Sequence, residues 1–336
     1  MPDFRLSALD LSPIASGSTA TEALHRTIDL ARHVEALGFE RYWLAEHHNA
    51  GSLASSAPEI MIGQVAAATK TIRVGAGGIM LPNHSPLKVA ELFRVLHALF
   101  PGRIDLGVGR AAGTDPRTAV VLRGSRHALD VTDFPEQMSE LRRYLADDAT
   151  PRSAFATSIR AIPLGVPSPV LWMLGSTDYG AAYAAEHGLG FAFAHHINPG
   201  EALHALRSYR AHFRPTPGLT EPQAILAVSA LCAETESEAR DLEASANLSI
   251  LRFAGGLRDL PMPSVAEAHA HAWDDDERSL LQANQGRGFV GTPGHVRHRV
   301  LALAREAQVD EVMLMSNIHD HTARKRSYAL LAEALR

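Results

Sequence analysis

The sequence predicts an α/β protein, a (β/α)8 TIM barrel with insertions after strands 4 and 7, formed by one domain over residues 1–336. Three observations support this fold class. Eight short apolar segments alternate with helical patterns along the chain. The segments are hydrophobic at nearly every position, which is typical of parallel strands covered on both faces. Eight strand–helix units match the barrel, whereas a doubly wound sheet, the alternative, usually has about five to seven strands.

The predicted elements follow one another at regular intervals. The first strand covers residues 4–11, and Thr19 with Glu22 forms a T-x-x-E capping box that begins the first helix. Further strands are predicted at residues 41–45, 71–81, 104–108, 170–174, 188–193, 225–231 and 311–315. Other helices are predicted at residues 58–69, from Ser85, from Thr292 to about residue 307, and at residues 321–335.

Two long stretches interrupt this alternation. Residues 110–169 follow the fourth predicted strand, and residues 249–291 follow the seventh. In a barrel of this kind, the loops that follow the strands surround the active site. We therefore expect both insertions to lie over the rim of the barrel, where long loops often act as lids.

The composition excludes several classes of protein. The formal net charge is −5, so no overall basic field favours nucleic acid as a partner. Cys232 is the only cysteine, which excludes an intramolecular disulfide and a thiolate zinc cluster. No apolar run approaches the roughly 18 residues of a membrane span, and no secretory pattern is visible. We expect a cytoplasmic protein with no membrane and no nucleic-acid partner.

The end of the second predicted strand carries three residues suited to proton transfer. Glu46, His47 and His48 follow this strand directly, and the active site of a barrel forms where its strands end. Histidine titrates near neutrality, and a neighbouring carboxylate can select its tautomer. We predict these three as catalytic residues; the alternative is two loop histidines and a glutamate that caps a helix. His84 and His195 are further candidates at other strand ends.

Two other strand ends present groups that suit a phosphate. Arg110 follows the fourth strand and can donate two parallel hydrogen bonds to a phosphate, although a surface ion pair is the alternative. Gly175, Ser176 and Thr177 follow the fifth strand and open a helix near residue 178. The free N–H groups and positive end of a helix bind anions, so these residues predict a phosphate site, with an ordinary helix cap as the alternative.

Glycines and histidines at the remaining strand ends allow two further interpretations. Gly77 and Gly78 let a flat ligand approach the backbone closely, or simply let the strands pack. His195 and His196 suggest a metal site, but successive residues of a strand point to opposite faces, so only one of the two could point inward. We therefore predict no metal site.

Five ordered segments of the chain resemble one protein family. They are RYWLAEHHN at residues 41–49, VGAGGIMLPNHSPLKVAE at 74–91, PGRIDLGVGRAAGTD at 101–115, LGSTDYGAAYAAEHGLGFAFAHH at 174–196 and VDEVMLMSN at 309–317. Together they are similar to the bacterial luciferase-like flavin-dependent monooxygenase family, in particular its non-luminescent bacterial branch. The resemblance covers nearly the whole chain and is weakest over residues 115–169 and 249–291.

This resemblance implies that FMN binds at the rim of the barrel. In the family, reduced FMN usually comes from a separate NAD(P)H:flavin reductase and reacts with O2. The resulting C4a-hydroperoxyflavin oxygenates a small organic substrate. An F420-dependent oxidoreductase on the same barrel and a non-catalytic flavin-binding protein are the alternatives. The resemblance also implies a homodimer.

Individual positions match the family's functional residues. His47, flanked by Glu46 and His48, matches the active-site histidine of the family. Gly77 and Gly78 match the segment that lies against the flavin ring. The phosphate site is matched by Arg110 together with Gly175, Ser176 and Thr177. The family often has a cis peptide bond without proline at the two glycines. Gly109 stands where light-emitting members have a reactive cysteine, so light emission is not expected. Ala112 and His319 replace the proline and the aromatic residue that relatives often have.

Overall fold

Strands and helices alternate along the computed structural model, which describes residues 4–124, 132–146, 159–284 and 287–336. The strands are β1 (Arg5–Asp10), β2 (Arg41–Leu44), β3 (Arg73–Met80), β4 (Ile104–Gly109), β5 (Val170–Gly175), β6 (Gly190–Ala194), β7 (Ala224–Cys232), β8 (Gly288–Gly291) and β9 (Glu311–Met315). The helices are α1 (Ala20–Ala36), α2 (Pro58–Ala68), α3 (Pro86–Leu99), α4 (Pro116–Arg123), α5 (Phe134–Leu145), α6 (Asp178–His187), α7 (Ala202–His212), α8 (Glu236–Ala254), α9 (Val265–Ala270), α10 (Asp275–Asn284), α11 (Pro293–Glu306) and α12 (His321–Leu335).

Eight of the strands form a closed barrel. Their order around the ring is β1-β2-β3-β4-β5-β6-β7-β9, and β9 pairs back onto β1. The pairings are parallel, as between Ser7 and Arg41 or between Ile225 and Glu311. The predicted (β/α)8 TIM barrel is therefore confirmed.

The two predicted insertions differ from expectation in detail. The second contains a strand that the prediction misses: β8 pairs with the end of β7, from Ser229 to Cys232, outside the ring. Two of its four residues are glycine, so β-propensity does not indicate a strand there. Residues 249–254 belong to α8 rather than to an insertion. The first insertion contains α4 and α5, while residues 125–131 and 147–158 lie outside the described residues.

The helices cover the outside of the ring and begin at local sequence signals. For α1, the Thr19 hydroxyl accepts a hydrogen bond from the Glu22 N–H at 3.2 Å, and the Glu22 carboxylate accepts one from the Thr19 N–H at 2.8 Å. This capping box satisfies two N–H groups that the first turn leaves without helical partners, and it confirms the predicted helix start. Within the described ranges, no helix is both long and apolar enough to cross a membrane.

The interior near the N-terminal ends of the strands holds a network of buried charges. Arg41 of β2 donates hydrogen bonds to Glu311 of β9 at 2.7 Å and to Asp105 of β4 at 2.9 Å. Asp105 also accepts a hydrogen bond from the indole N–H of Trp43 at 3.1 Å. Trp43 contacts Trp172 edge to face, with ring centroids 5.6 Å apart. These side chains fill the lower part of the barrel interior.

Candidate active site

A cavity of about 750 Å³ opens at the C-terminal ends of the strands. Its size lies within the roughly 300–1,000 Å³ that is usual for small-molecule sites. The cavity exists because the strands present small residues at their upper inward positions. These residues are Ala45, Gly77, Gly109, Ala194 and Ala227. The sequence thus leaves space where larger side chains would complete a packed barrel core.

His47 borders this cavity just after β2. Its Nδ1 atom is buried and has no hydrogen-bond partner in the described part of the chain. Burial lowers the pKa of His47 to about 4, and the nearby charge of Glu46, which acts to raise it, does not compensate. The imidazole is therefore uncharged at neutral pH, and it can exchange a proton with a group in the cavity.

Glu46 and His48 lie behind His47 and do not border the cavity. The buried Glu46 carboxylate accepts hydrogen bonds from His48 Nε2 at 2.7 Å, His84 Nε2 at 2.9 Å and the Met80 N–H at 2.9 Å. Burial acts to raise the pKa of Glu46, but these hydrogen bonds outweigh it and hold the pKa below its ordinary value. The arrangement joins the ends of β2 and β3. The catalytic roles of Glu46 and His48 stay predictions.

The residues predicted to bind a phosphate come together on the wall of the cavity. Arg110 borders it after β4, and Gly175, Ser176 and Thr177 border it at the N-terminus of α6. The guanidinium carbon of Arg110 lies 3.8 Å from the centroid of the Tyr179 ring. The stacked guanidinium keeps its N–H donors available at its edge, beside a helix N-terminus. This combination can bind an anion by charge and by directed hydrogen bonds.

Gly77 and Gly78 are joined by a cis peptide bond at the end of β3. Gly77 borders the cavity, whereas Gly78 packs against the neighbouring strands. A Cβ atom on Gly77 would lie 2.8 Å from Leu9 Cδ1, and one on Gly78 would lie 2.8 Å from the carbonyl oxygen of Gly107. A side chain is therefore excluded at Gly78, where backbone blocks it, whereas at Gly77 the end of the Leu9 side chain would have to move. The backbone at Gly77 borders the cavity, where a flat ligand can approach it.

Of the two adjacent histidines after β6, His196 borders the cavity and His195 does not. His195 is buried and stacks on Phe289, with ring centroids 5.7 Å apart. The Nδ1–H of His196 donates to the carbonyl oxygen of Ala227 at 3.1 Å, and burial lowers the pKa of His196. Sequence reasoning favoured His195, because alternation along a strand does not say which neighbour points inward.

Further residues at the cavity have no signal in the sequence. Tyr179 lies one helical step inside α6, and Arg123 of α4 reaches the cavity while its Nε donates to Asn83 Oδ1 at 3.0 Å. Helical periodicity alone would treat both as surface residues. Among the described residues, no three histidine, cysteine, aspartate or glutamate side chains come together as a metal site would require.

The fold is a TIM barrel with a cavity for a small molecule at its C-terminal rim, and comparison with known proteins identifies the family. The family model described as luciferase-like monooxygenase matches residues 4–311. The chain belongs to this family. Membership of a family of monooxygenases supports an oxidoreductase activity.

Similar proteins extend over nearly the whole chain. A luciferase-like monooxygenase of Escherichia coli (strain K12) is 41% identical over 96% of this chain and 95% of its own. The N-acetyl-S-alkylcysteine monooxygenase of Bacillus subtilis (strain 168) is 33% identical over 98% of both chains. The crystal structure of apo-MsnO8 is 38% identical over 98% of both chains, with a TM-score of 0.90.

More distant solved structures share the fold alone and differ in cofactor. The oxygenating constituent of 3,6-diketocamphane monooxygenase from Pseudomonas putida, in complex with FMN, is 17% identical, with a TM-score of 0.70 over 99% of this chain and 97% of its own. An F420-dependent secondary alcohol dehydrogenase with an F420–acetone adduct is 16% identical, with a TM-score of 0.70 over 99% of both chains. The barrel therefore does not by itself select between the two cofactors.

Proposed function

We propose that the protein is an FMN-dependent monooxygenase that uses reduced FMN and O2 to oxygenate a small organic substrate. The observation that carries this proposal is the cavity itself. One space of about 750 Å³ combines an anion site at Arg110 and α6, an open backbone at Gly77 and the uncharged His47. A flat ring system with a phosphate monoester needs these features together. A separate NAD(P)H:flavin reductase and a homodimeric assembly remain part of the proposal.

The residues present fit the cofactor. Arg110, Ser176 and Thr177 would bind its phosphate, and the backbone at Gly77 would lie against its ring system. When bound, reduced FMN supplies the electrons with which O2 is activated to oxygenate the substrate. The apolar cavity wall excludes water from the ring. His47 borders the cavity as an uncharged imidazole and would exchange a proton with a group bound there.

Binding and oxygen incorporation test the proposal together. Purified protein is titrated under nitrogen with FMN, reduced FMN and reduced F420, and O2 labelled with ¹⁸O is then admitted with candidate substrates. Small thioethers are the first to test, because one relative is named as an N-acetyl-S-alkylcysteine monooxygenase. We expect saturable binding of reduced FMN and one labelled oxygen atom in the product. Tighter binding of F420, or no flavin binding, would contradict the proposal.

A His47→Ala variant separates catalysis from simple flavin binding. We expect FMN affinity to stay close to that of the wild type, while turnover falls by about 10²- to 10⁴-fold, the usual contribution of a positioned proton-transfer group. Gas chromatography or mass spectrometry of the product measures this loss. If wild type and variant are both inactive with every substrate although both bind FMN, the non-catalytic alternative is favoured.

A further inference from the structure

Methionine is concentrated in the wall of the cavity at the rim. The chain has eight methionines, and four of them line this cavity from strands β3, β5 and β9. They are Met80, Met173, Met313 and Met315. The thioether of methionine is soft and apolar, so it packs well against ring systems, but oxidants convert it to a polar sulfoxide. The wall therefore suits a flat ligand and is also sensitive to an oxidant that forms beside it.

The four methionines differ in how far they are exposed. Met173 and Met313 are each 1% exposed and belong to the apolar clusters of the barrel interior. Met80 and Met315 are half-buried, and Met315 packs on the cluster that contains the tryptophan pair. Oxidation of methionine follows its exposure, so Met80 and Met315 are the two that an oxidant in the cavity reaches most easily.

The thioether of Met80 lies on bare backbone at the end of β4. A Cβ atom on Gly109 would lie 3.0 Å from Met80 Sδ, and one on Gly113 would lie 3.0 Å from Met80 Cγ. The thioether thus occupies space that side chains at these two positions would need. The Met80 N–H donates to the Glu46 carboxylate at 2.9 Å, which holds the backbone of this residue in place. The sulfur atom therefore lies against the backbone directly before Arg110.

Hydrogen peroxide oxidises a thioether without any further reactant. The sulfur donates an electron pair to one peroxide oxygen, the O–O bond breaks, and the proton on that oxygen passes to the departing hydroxide. The products are a sulfoxide and one water molecule, so the sulfur loses the two electrons that the peroxide gains. The proposed function supplies this oxidant, because reduced FMN and O2 give oxidised FMN and H2O2 whenever no substrate is oxygenated.

A sulfoxide at Met80 changes the wall beside the proposed phosphate site. The oxidised side chain is polar, chiral and larger by one oxygen atom. Since the sulfur already lies against the backbone of Gly109, the added oxygen either crowds this contact or enters the cavity beside Arg110. In both cases the space and the hydrogen bonds available to an anion at Arg110 change.

We propose that Met80 is a modification site at which peroxide formed in the cavity produces methionine sulfoxide, and that this modification weakens FMN binding. Release of peroxide without oxygenation of a substrate then lowers the amount of enzyme that holds FMN and limits further release. The limitation is reversible, because methionine sulfoxide reductases restore the thioether. The inference rests on the proposed function, since only the use of reduced FMN and O2 makes peroxide in this cavity.

Added peroxide tests the site on the wild-type protein. The full chain is treated with H2O2 in the presence and absence of FMN, and peptide mass spectrometry measures the sulfoxide at each methionine. We expect Met80 to be oxidised at least about 10-fold faster than Met138 of α5, which is fully buried. Bound FMN should slow the oxidation of Met80 but not that of Met138. Oxidation of Met80 no faster than that of Met138 would overturn the proposal.

Two variants connect the modification with FMN binding. FMN affinity is measured before and after peroxide treatment by quenching of flavin fluorescence. We expect treatment to weaken binding to the wild type by about 5- to 100-fold, the effect of crowding in a packed contact. Met80→Leu has a similar volume but no sulfur, and its affinity should stay within about 2-fold of its own untreated value.

Met315→Leu is the matched control for this comparison, because it removes the other half-buried methionine of the cavity. Its affinity should fall on treatment as that of the wild type does. If Met80→Leu loses as much affinity on treatment as the wild type, another residue carries the effect and the proposal is overturned.

Turnover with reduced FMN and O2 tests the source of the peroxide. No substrate is added, and catalase removes peroxide from the bulk solution. We expect Met80 sulfoxide to accumulate in spite of catalase, because the oxidant forms inside the cavity. Full protection by catalase would contradict this origin.

FMN binding and ¹⁸O incorporation are measured on the same preparation, which separates this inference from the proposed function. If added peroxide oxidises Met80 selectively but FMN does not bind, the monooxygenase proposal fails and Met80 is supported as a modification site. If FMN binds and ¹⁸O enters a product while Met80 stays unoxidised under both treatments, this inference is overturned and the monooxygenase proposal stands.

Discussion

The two halves of the barrel interior differ in how their polar atoms are paired. In the lower half, near the N-terminal ends of the strands, Arg41, Asp105 and Glu311 are almost fully buried. Arg41 is joined to the other two by hydrogen bonds of 2.7–2.9 Å. In the upper half, His47 Nδ1 and Asn317 Oδ1 are buried without partners in the described part of the chain. Polar atoms are thus mostly paired within the protein where they support the barrel, whereas these two atoms of the upper half are not.

The difference has a physical basis and two exceptions. A buried charge without a partner costs several kcal/mol, so charges inside the barrel must be paired. A buried neutral acceptor without a partner costs less, about 1–3 kcal/mol, so the fold tolerates it more easily. Among the described residues of the lower half, Trp172 Nε1 has no hydrogen-bond partner, and Glu311 Oε2 has an ion pair with Arg5 at 3.8 Å but no hydrogen bond. Both exceptions concern single atoms of groups that are otherwise packed in the network.

The largest expected effect is on the lower half. Asp105→Ala removes the acceptor shared by Arg41, Arg73 and Trp43 and leaves Arg41 buried with one partner fewer. We expect the free energy of unfolding to fall by about 3–5 kcal/mol, as when one partner of a buried pair is removed. Urea denaturation followed by circular dichroism measures the loss. A change below about 1 kcal/mol would mean that the network contributes little to stability.

A medium effect is expected at the anion site of the upper half. Arg110→Ala should weaken FMN binding by about 1.5–3 kcal/mol, the range of a hydrogen bond to a charged group, and leave the unfolding free energy within about 0.5 kcal/mol of wild type. Quenching of flavin fluorescence gives the affinity. Arg117→Ala, on the exposed side of α4, is the matched control and should bind FMN normally. Equal affinity of Arg110→Ala and wild type would place the phosphate elsewhere.

The smallest effect concerns Glu46 and His84, where polar atoms at the rim are paired. Burial acts to lower the pKa of His84, but the hydrogen bond to Glu46 and the charge of that carboxylate raise it above its ordinary value. The stability that this pair contributes is complete below the unfolded pKa of about 6.5 and is lost as pH rises through the higher folded pKa. The wild type should therefore lose stability relative to His84→Gln between about pH 6 and pH 9, by a few tenths to about 1 kcal/mol.

Urea denaturation of both proteins at the two pH values checks this expectation. His298→Gln, on the exposed face of α11, is a control for the removal of a titrating group. A stability difference between wild type and His84→Gln that does not change with pH would show that His84 and Glu46 do not act as a charged pair.

Much of the fold and part of the site are determined by the sequence alone. Near-continuous apolar strands followed by amphipathic helices have few solutions other than a barrel, because both faces of such a sheet must be covered. The ends of parallel strands then meet at one rim. For this reason Arg110, Gly175 and His47, which are far apart in the chain, could be predicted to lie at one site, and all three border the same cavity.

Only the tertiary structure decided which way individual side chains point. Glu46 turns away from the cavity because its carboxylate binds His84 and the Met80 N–H, both more than thirty residues away in the chain. His196 rather than His195 faces the cavity, and β8 pairs with the end of β7 outside the ring. The sequence specifies which residues reach the rim, but their hydrogen bonds depend on neighbours that only the closed barrel brings together.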